Sequence, residues 1–169
     1  MTLARAHLDG LPATFKALGR IDPELRKEAL KRVRKAAEPI RDAARGAIPS
    51  TAPMSGWEKR RGSTSRWAWR GGRARSRITI KAGTGSVKRN EIRLVRIVQR
   101  DKLGSVFDMA GRGSSGRTPA GRQMIRNLNR YGQASRSMWP AYERNRDRVE
   151  LALIEAIDDM SATVNRSMS

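Results

Sequence analysis

Between Asp22 and Ile48 the apolar side chains fall on one helical stripe, and that stripe limits the fold more than any other feature of the chain. Leu25, Ala29, Val33, Ala36, Ala37, Ile40, Ala43, Ala44 and Ala47 recur at helical spacing, while Arg26, Lys27, Lys31, Arg34, Lys35, Arg41 and Arg45 lie largely away from them. A long helix that must bury one face is predicted. Asp22 followed by Pro23 suits its start, because a carboxylate can accept orphan N–H groups and proline fits the first helical position. Pro39 should kink or divide it.

The rest of the chain alternates between patterned and irregular stretches. Leu3 to Asp9 could be a short strand, followed by helical spacing of Leu11, Phe15 and Leu18. Ile48 to Pro53 ends the long helix and opens an irregular stretch. Ile78 and Ile80 then alternate with Thr79 and Lys81. Gly83 to Ser86 provides a turn before a second β-rich run, Val87 to Gln99, so an antiparallel hairpin is expected, with a bulge near Leu94-Val95. Leu103, Val106, Phe107 and Met109 suggest one helical turn; Met124, Ile125 and Leu128 suggest a short helix ending near Gly132. Ser137 and Pro140 open a long terminal helix through Val149, Ala152, Leu153, Ala156, Ile157, Met160 and Val164, on the order of 40 Å in length. The expected fold class is α+β: long N- and C-terminal helices packed on a small antiparallel sheet, in a single domain over 1–169, with long basic flexible loops at about 54–76 and 111–121.

Charge limits the partners. Lys and Arg number 36 against 16 Asp and Glu, a net charge of +20, which attracts polyanions or acidic protein surfaces. Arginine dominates, and guanidinium makes flat, two-pronged contacts with phosphate or carboxylate; a GC-rich genome would also enrich arginine. No cysteine is present, which removes disulfides and thiolate metal sites. Charged residues interrupt the apolar positions of the first twenty residues, so neither a signal peptide nor a membrane span is read there, and synthesis in the cytoplasm is expected.

The residues offer little catalytic chemistry. His7 is the only histidine, which removes most metal and nucleophile arrangements. Asp158 and Asp159 are helix neighbours that do not face one site, and Glu143, Asp147 and Glu150 are spaced to pair with Arg144, Arg146 and Arg148 along a helix surface. Gly111-Arg112-Gly113-Ser114-Ser115-Gly116 lacks the Lys-Ser/Thr ending of a phosphate loop and has no strand before it. No cofactor or metal is expected, and the chain reads as a binding or assembly subunit rather than an enzyme.

The candidate contact residues are basic and aromatic: Arg60, Arg61, Arg66, Trp67, Trp69, Arg70, Arg73 and Arg75 in the first loop, and Arg112, Arg117 and Arg122 in and after the second. Arginine can neutralise phosphate while tryptophan stacks on exposed bases. The other reading, which is favoured, has Trp67 and Trp69 covering the sheet while the arginines are solvated or meet acidic neighbouring subunits.

Five runs in order carry a family resemblance. A basic, alanine-rich helix (Glu24 to Ala47) leads into Ile48-Pro49-Ser50-Thr51-Ala52-Pro53-Met54-Ser55-Gly56-Trp57. A basic hairpin follows, then Val106-Phe107-Asp108-Met109-Ala110-Gly111. Last comes Gly132-Gln133-Ala134-Ser135-Arg136-Ser137-Met138-Trp139-Pro140-Ala141 before the terminal helix. From about Gly10 to Arg166 the chain resembles the neck proteins of long-tailed bacteriophages. The resemblance implies a head–tail connector or tail-completion subunit in the virion neck. It would form a homo-oligomeric ring, a hexamer in preference to a dodecamer, with other phage neck and tail proteins as partners, contact with genomic DNA as a further expectation, and no membrane. Two alternatives stand beside it: a free-standing DNA- or RNA-binding protein, and a tail-terminator subunit.

Overall fold

In the computed structural model, residues 23–58, 68–82, 95–113 and 115–168 are described. They form a mostly helical α+β arrangement with one two-stranded antiparallel sheet. The strand and helix expected before Pro23 lie outside these residues.

The stripe of small apolar residues folds as two helices, α1 (Pro23–Ala36) and α2 (Glu38–Gly46). Pro39 has no N–H to donate and its ring crowds the preceding turn, so the helix breaks at Ala37. The chain re-enters helix at once, since the Arg41 amide donates to the Ala37 carbonyl at 3.3 Å. The stripe survives the break. Ala29, Val33, Ala37, Ile40, Ala44 and Ile48 are all buried.

A hairpin closes one side. β1 (Ile78–Ala82) pairs antiparallel with β2 (Val95–Gln99), with Ile78 opposite Gln99 and Ala82 opposite Val95. Alternation sends Ile78 and Ile80 into the core. The pairing is regular from Val95 onward; Leu94 and the run before it lie outside the described residues. Arg45 of α2 reaches the hairpin and donates to the Ile78 carbonyl at 2.8 Å and 3.2 Å.

Four further helices lie among the described residues: α3 (Gly71–Ser76), α4 (Lys102–Met109), α5 (Pro119–Asn129) and α6 (Met138–Met168). Asp101 caps α4 by accepting from the Gly104 amide at 2.9 Å, and Thr118 caps α5 by accepting from Gly121 at 3.1 Å. The 31 residues of α6 make a rod about 46 Å long. Its contacts are chiefly with α1 and α2; Leu153 packs against Ala29 and Val33 of α1, and Ala141, Val149 and Ala156 are buried. Arg32 and Asp159 form an ion pair at 2.8 Å between α1 and the distal part of α6. The helices, rather than the sheet, are therefore the main support of the terminal helix.

Both stretches expected to be loops contain regular structure. The first holds a 3-10 turn at Ser55–Trp57 and the helix α3; the second ends in α5, which begins at Pro119. The physical reasons differ. Thr118-Pro119 supplies a capping oxygen and a preset first helical residue, whereas a glycine-rich start is tolerated at α3 because close packing holds it.

Candidate functional site

The Trp/Arg segment is organised from within. Trp57 and Trp69 stack with ring centroids 5.5 Å apart and planes 12° from parallel. The Trp69 amide donates to the Trp57 carbonyl at 2.7 Å, and its indole N–H donates to the Pro49 carbonyl at 3.1 Å. Phe107 lies against Trp69 at 5.8 Å, and Tyr131 meets the Phe107 edge at 5.6 Å. Trp57, Trp69 and Phe107 belong to the buried core, and Tyr131 ends the series at the surface. Trp69 is only 7% exposed, so it is withdrawn from the set of contact residues: no base or neighbouring subunit can stack on a ring already covered on its faces.

The arginines divide by environment. Arg75 turns inward, half-buried, and donates to the Ile48 carbonyl at 2.9 Å, so it ties α3 to the end of the α2 segment instead of facing a partner. Arg73 is exposed and lies 3.3 Å from Asp101, the residue that caps α4. Arg70, Arg112, Arg117 and Arg122 are exposed. The structure brings two of these together, because the Arg122 guanidinium reaches the Arg117 carbonyl at 3.5 Å. Arg60, Arg61, Arg66 and Trp67 lie outside the described residues.

The most connected polar group is one that charge counting does not single out. Arg136 is 5% exposed, and its guanidinium donates to the carbonyls of Leu128 (2.9 Å), Phe107 (2.9 Å) and Ala110 (3.0 Å) and to the Asn129 side chain (2.8 Å). Asp108, also buried, accepts from the Ser137 amide at 2.7 Å, the Ser137 hydroxyl and the Met138 amide at 3.2 Å, all through one carboxylate oxygen. Burial pulls the Arg136 pKa below its ordinary value and the Asp108 charge opposes that shift; guanidinium remains cationic. The unit joins the ends of α4 and α5 to the start of α6. It also brings together the runs 106–111 and 132–141, which stand far apart in sequence. Nothing in the spacing of these runs signals that they meet.

A second group missed by sequence reasoning is the row of cations on the hairpin: Arg77, Lys81, Arg96 and Arg100 are all exposed. The alternation of Ile78 and Ile80 could have placed Lys81, but pairing it with Arg96 requires the register.

Among the described residues, no three His, Cys, Asp or Glu side chains gather to hold a metal ion, and no helix is long and apolar enough to cross a membrane. What the arrangement offers chemically is a rigid aromatic and polar core carrying exposed guanidinium groups, suited to binding anions through charge-assisted hydrogen bonds. No protein-family model, curated protein or solved structure matches the chain.

Proposed function

We propose that the chain is a structural subunit of the bacteriophage neck, a head–tail connector or tail-completion protein that forms a ring around the DNA channel and has no catalytic role. The observation that carries the reading is the junction of Asp108, Arg136 and Ser137. The two runs at the heart of the resemblance to neck proteins, 106–111 and 132–141, supply the buried polar unit that sets the direction of α6. In this reading α1, α2 and α6 are the long-helix scaffold. The arginine-bearing segments on either side of the aromatic core reach neighbouring subunits, neck and tail proteins, or the genome.

The exposed side of α6 supports an assembly role. Leu151 is 61% and Ile154 45% exposed, one helical turn apart on a helix whose opposite face is already packed. Head-to-tail repetition of such a subunit closes into a ring when the rotation permits, and six copies are preferred to twelve.

The net charge of +20 favours a second reading, a free-standing nucleic-acid-binding protein. Sedimentation of a nuclease-treated lysate from infected cells separates the two. Stoichiometric migration of this chain with head or tail particles is expected; its release into light fractions by nuclease would overturn the neck reading and leave the second standing.

A further inference from the structure

The hairpin has one face committed to the core and one that is not. Ile78 and Ile80 are 0% and 7% exposed, so strand alternation puts Thr79 and Lys81 on the other face, where Lys81 is exposed and Thr79 is half-buried with its hydroxyl covered. The register sets Lys81 opposite Arg96 and Thr79 opposite Val98. One step beyond the strands, Arg77 faces Arg100, since the Arg100 amide donates to the Arg77 carbonyl at 3.0 Å. The outer face therefore carries two cross-strand pairs of like charge, an arrangement that works against pairing.

Nothing within the described residues relieves that repulsion. The side chains of Arg77, Lys81, Arg96 and Arg100 make no hydrogen bond or ion pair there. Some exposed arginines elsewhere have carboxylates, Arg32 with Glu28 and Asp159, Arg73 with Asp101, Arg146 with Glu150, and others such as Arg70 and Arg112 have none among the described residues. What distinguishes the hairpin is that its cations face one another across the strands. The row is nevertheless firmly mounted. Arg45 holds β1 through the Ile78 carbonyl, and Gln99 holds β2 by donating to the Ala74 carbonyl at 3.0 Å.

We propose that this outer face is a phosphodiester-binding ribbon that lies on the backbone of double-stranded DNA. Partners across an antiparallel ladder stand about 5.5 Å apart at hydrogen-bonded positions. The two charged pairs are separated by four residues, about 13 Å. Duplex DNA presents a negative charge every ~1.7 Å of its axis, so the long side chains of both pairs find phosphates in any register. Three of the four cations are arginine, whose fork fits phosphate oxygens. The face has no apolar centre of the kind stable protein interfaces bury; half-buried Val98 is the one apolar side chain between the pairs. A polyanion needs none. The assignment goes beyond the ring reading and does not depend on it, because the isolated chain would bind DNA by this face.

The test uses the full chain and a mixed-sequence DNA duplex, with affinity measured across a range of NaCl concentrations. The variant R77Q/K81Q/R96Q/R100Q is compared with R126Q/R130Q/R144Q/R148Q, which removes the same charge from exposed positions on α5 and α6 and at the end of α5, and circular dichroism checks that both are folded. The hairpin variant should lose roughly two to four units of the slope of log K against log salt, near 0.9 for each phosphate it no longer neutralises, whatever the DNA sequence. The helix variant should lose distinctly less. Equal losses in both variants would reduce the effect to overall charge and overturn the proposal. So would weakened binding of a polyglutamate peptide with DNA binding unchanged, which would assign the face to an acidic protein. Should the quadruple variant fail to fold, K81Q/R96Q alone is expected to remove about half the slope difference, and no change in it would overturn the proposal equally.

Discussion

One carboxylate oxygen of Asp108 accepts both the backbone amide and the side-chain hydroxyl of Ser137, so a residue ending α4 caps a helix that starts almost thirty positions later. A helix start needs acceptors for its first amides, and here they come from tertiary structure. Asp108→Ala leaves these donors buried and unpaired and should cost about 2–4 kcal/mol. Asp108→Asn keeps one acceptor and should cost less. Urea unfolding midpoints decide it: a D108A protein as stable as the parent would rule out the capping role.

Arg136 should tolerate no other cation. Lysine keeps the charge but brings three donors on one point, against three carbonyls and an amide oxygen spread over the ends of α4 and α5. At least one acceptor then goes without its partner, at roughly 1–3 kcal/mol. Arg136→Lys should lower the unfolding midpoint clearly, and Arg130→Lys, on the exposed surface, should barely move it.

Two adjacent glycines should respond in opposite directions to alanine. A Cβ on Gly71 would sit 2.6 Å from the carbonyl oxygens of Pro49 and Ser50, backbone atoms with little freedom to yield, whereas a Cβ on Gly72 would meet nothing within 4 Å. Gly71→Ala should destabilise by about 1–3 kcal/mol. Gly72→Ala should stabilise by about 0.5–1 kcal/mol through helix propensity. Thermal melts of the two variants give the comparison.

Trp69→Phe removes the indole donor to Pro49 and part of the stack on Trp57. A destabilisation of about 1–3 kcal/mol is expected, together with a marked drop in near-ultraviolet circular dichroism. A spectrum unchanged by the substitution would mean that the two rings are not stacked in solution.

The carboxyl of Asp42 is held below its ordinary pKa by the hydrogen bond from Arg41, with the charges of Arg41 and Arg45 adding to it. The contribution to stability is therefore present above the unfolded value near ~4 and disappears as pH falls through the lower folded value. Asp42 is mostly exposed, so the gain stays under about 1 kcal/mol. In Arg41→Gln, a carboxyl titration followed by NMR should show the Asp42 pKa rising.

Local patterns announce part of this structure. Pro39 marks the division of α1 from α2, and period-two spacing at Ile78 and Ile80 marks β1, because each depends on nearby residues alone; Asp22, read as a helix cap, lies outside the described residues. The helix α3 is not legible in Gly71-Gly72-Arg73-Ala74-Arg75-Ser76, whose propensity is poor; it exists because Gly71 packs on backbone and Ala74 is wholly buried. The same limit applies to function. Residue type and neighbourhood single out Trp69 and Arg75 as contact residues, yet the first stacks within the core and the second serves the Ile48 carbonyl. The Lys81–Arg96 pair depends on register, which follows from the pairing of strands rather than from either strand by itself.

The stacked tryptophans have a consequence for how such a chain can change. Trp57 and Trp69 are joined ring to ring and, through the Trp69 amide, backbone to backbone, so two points twelve positions apart in the chain are fastened to each other at a single clasp. Lengthening a stretch whose two ends are already fastened costs little, about 0.6 kcal/mol for each doubling. A change in the number of residues between the two tryptophans therefore adds little closure entropy, and the clasp itself, made of two rings and one backbone hydrogen bond, keeps the same two points of the core together.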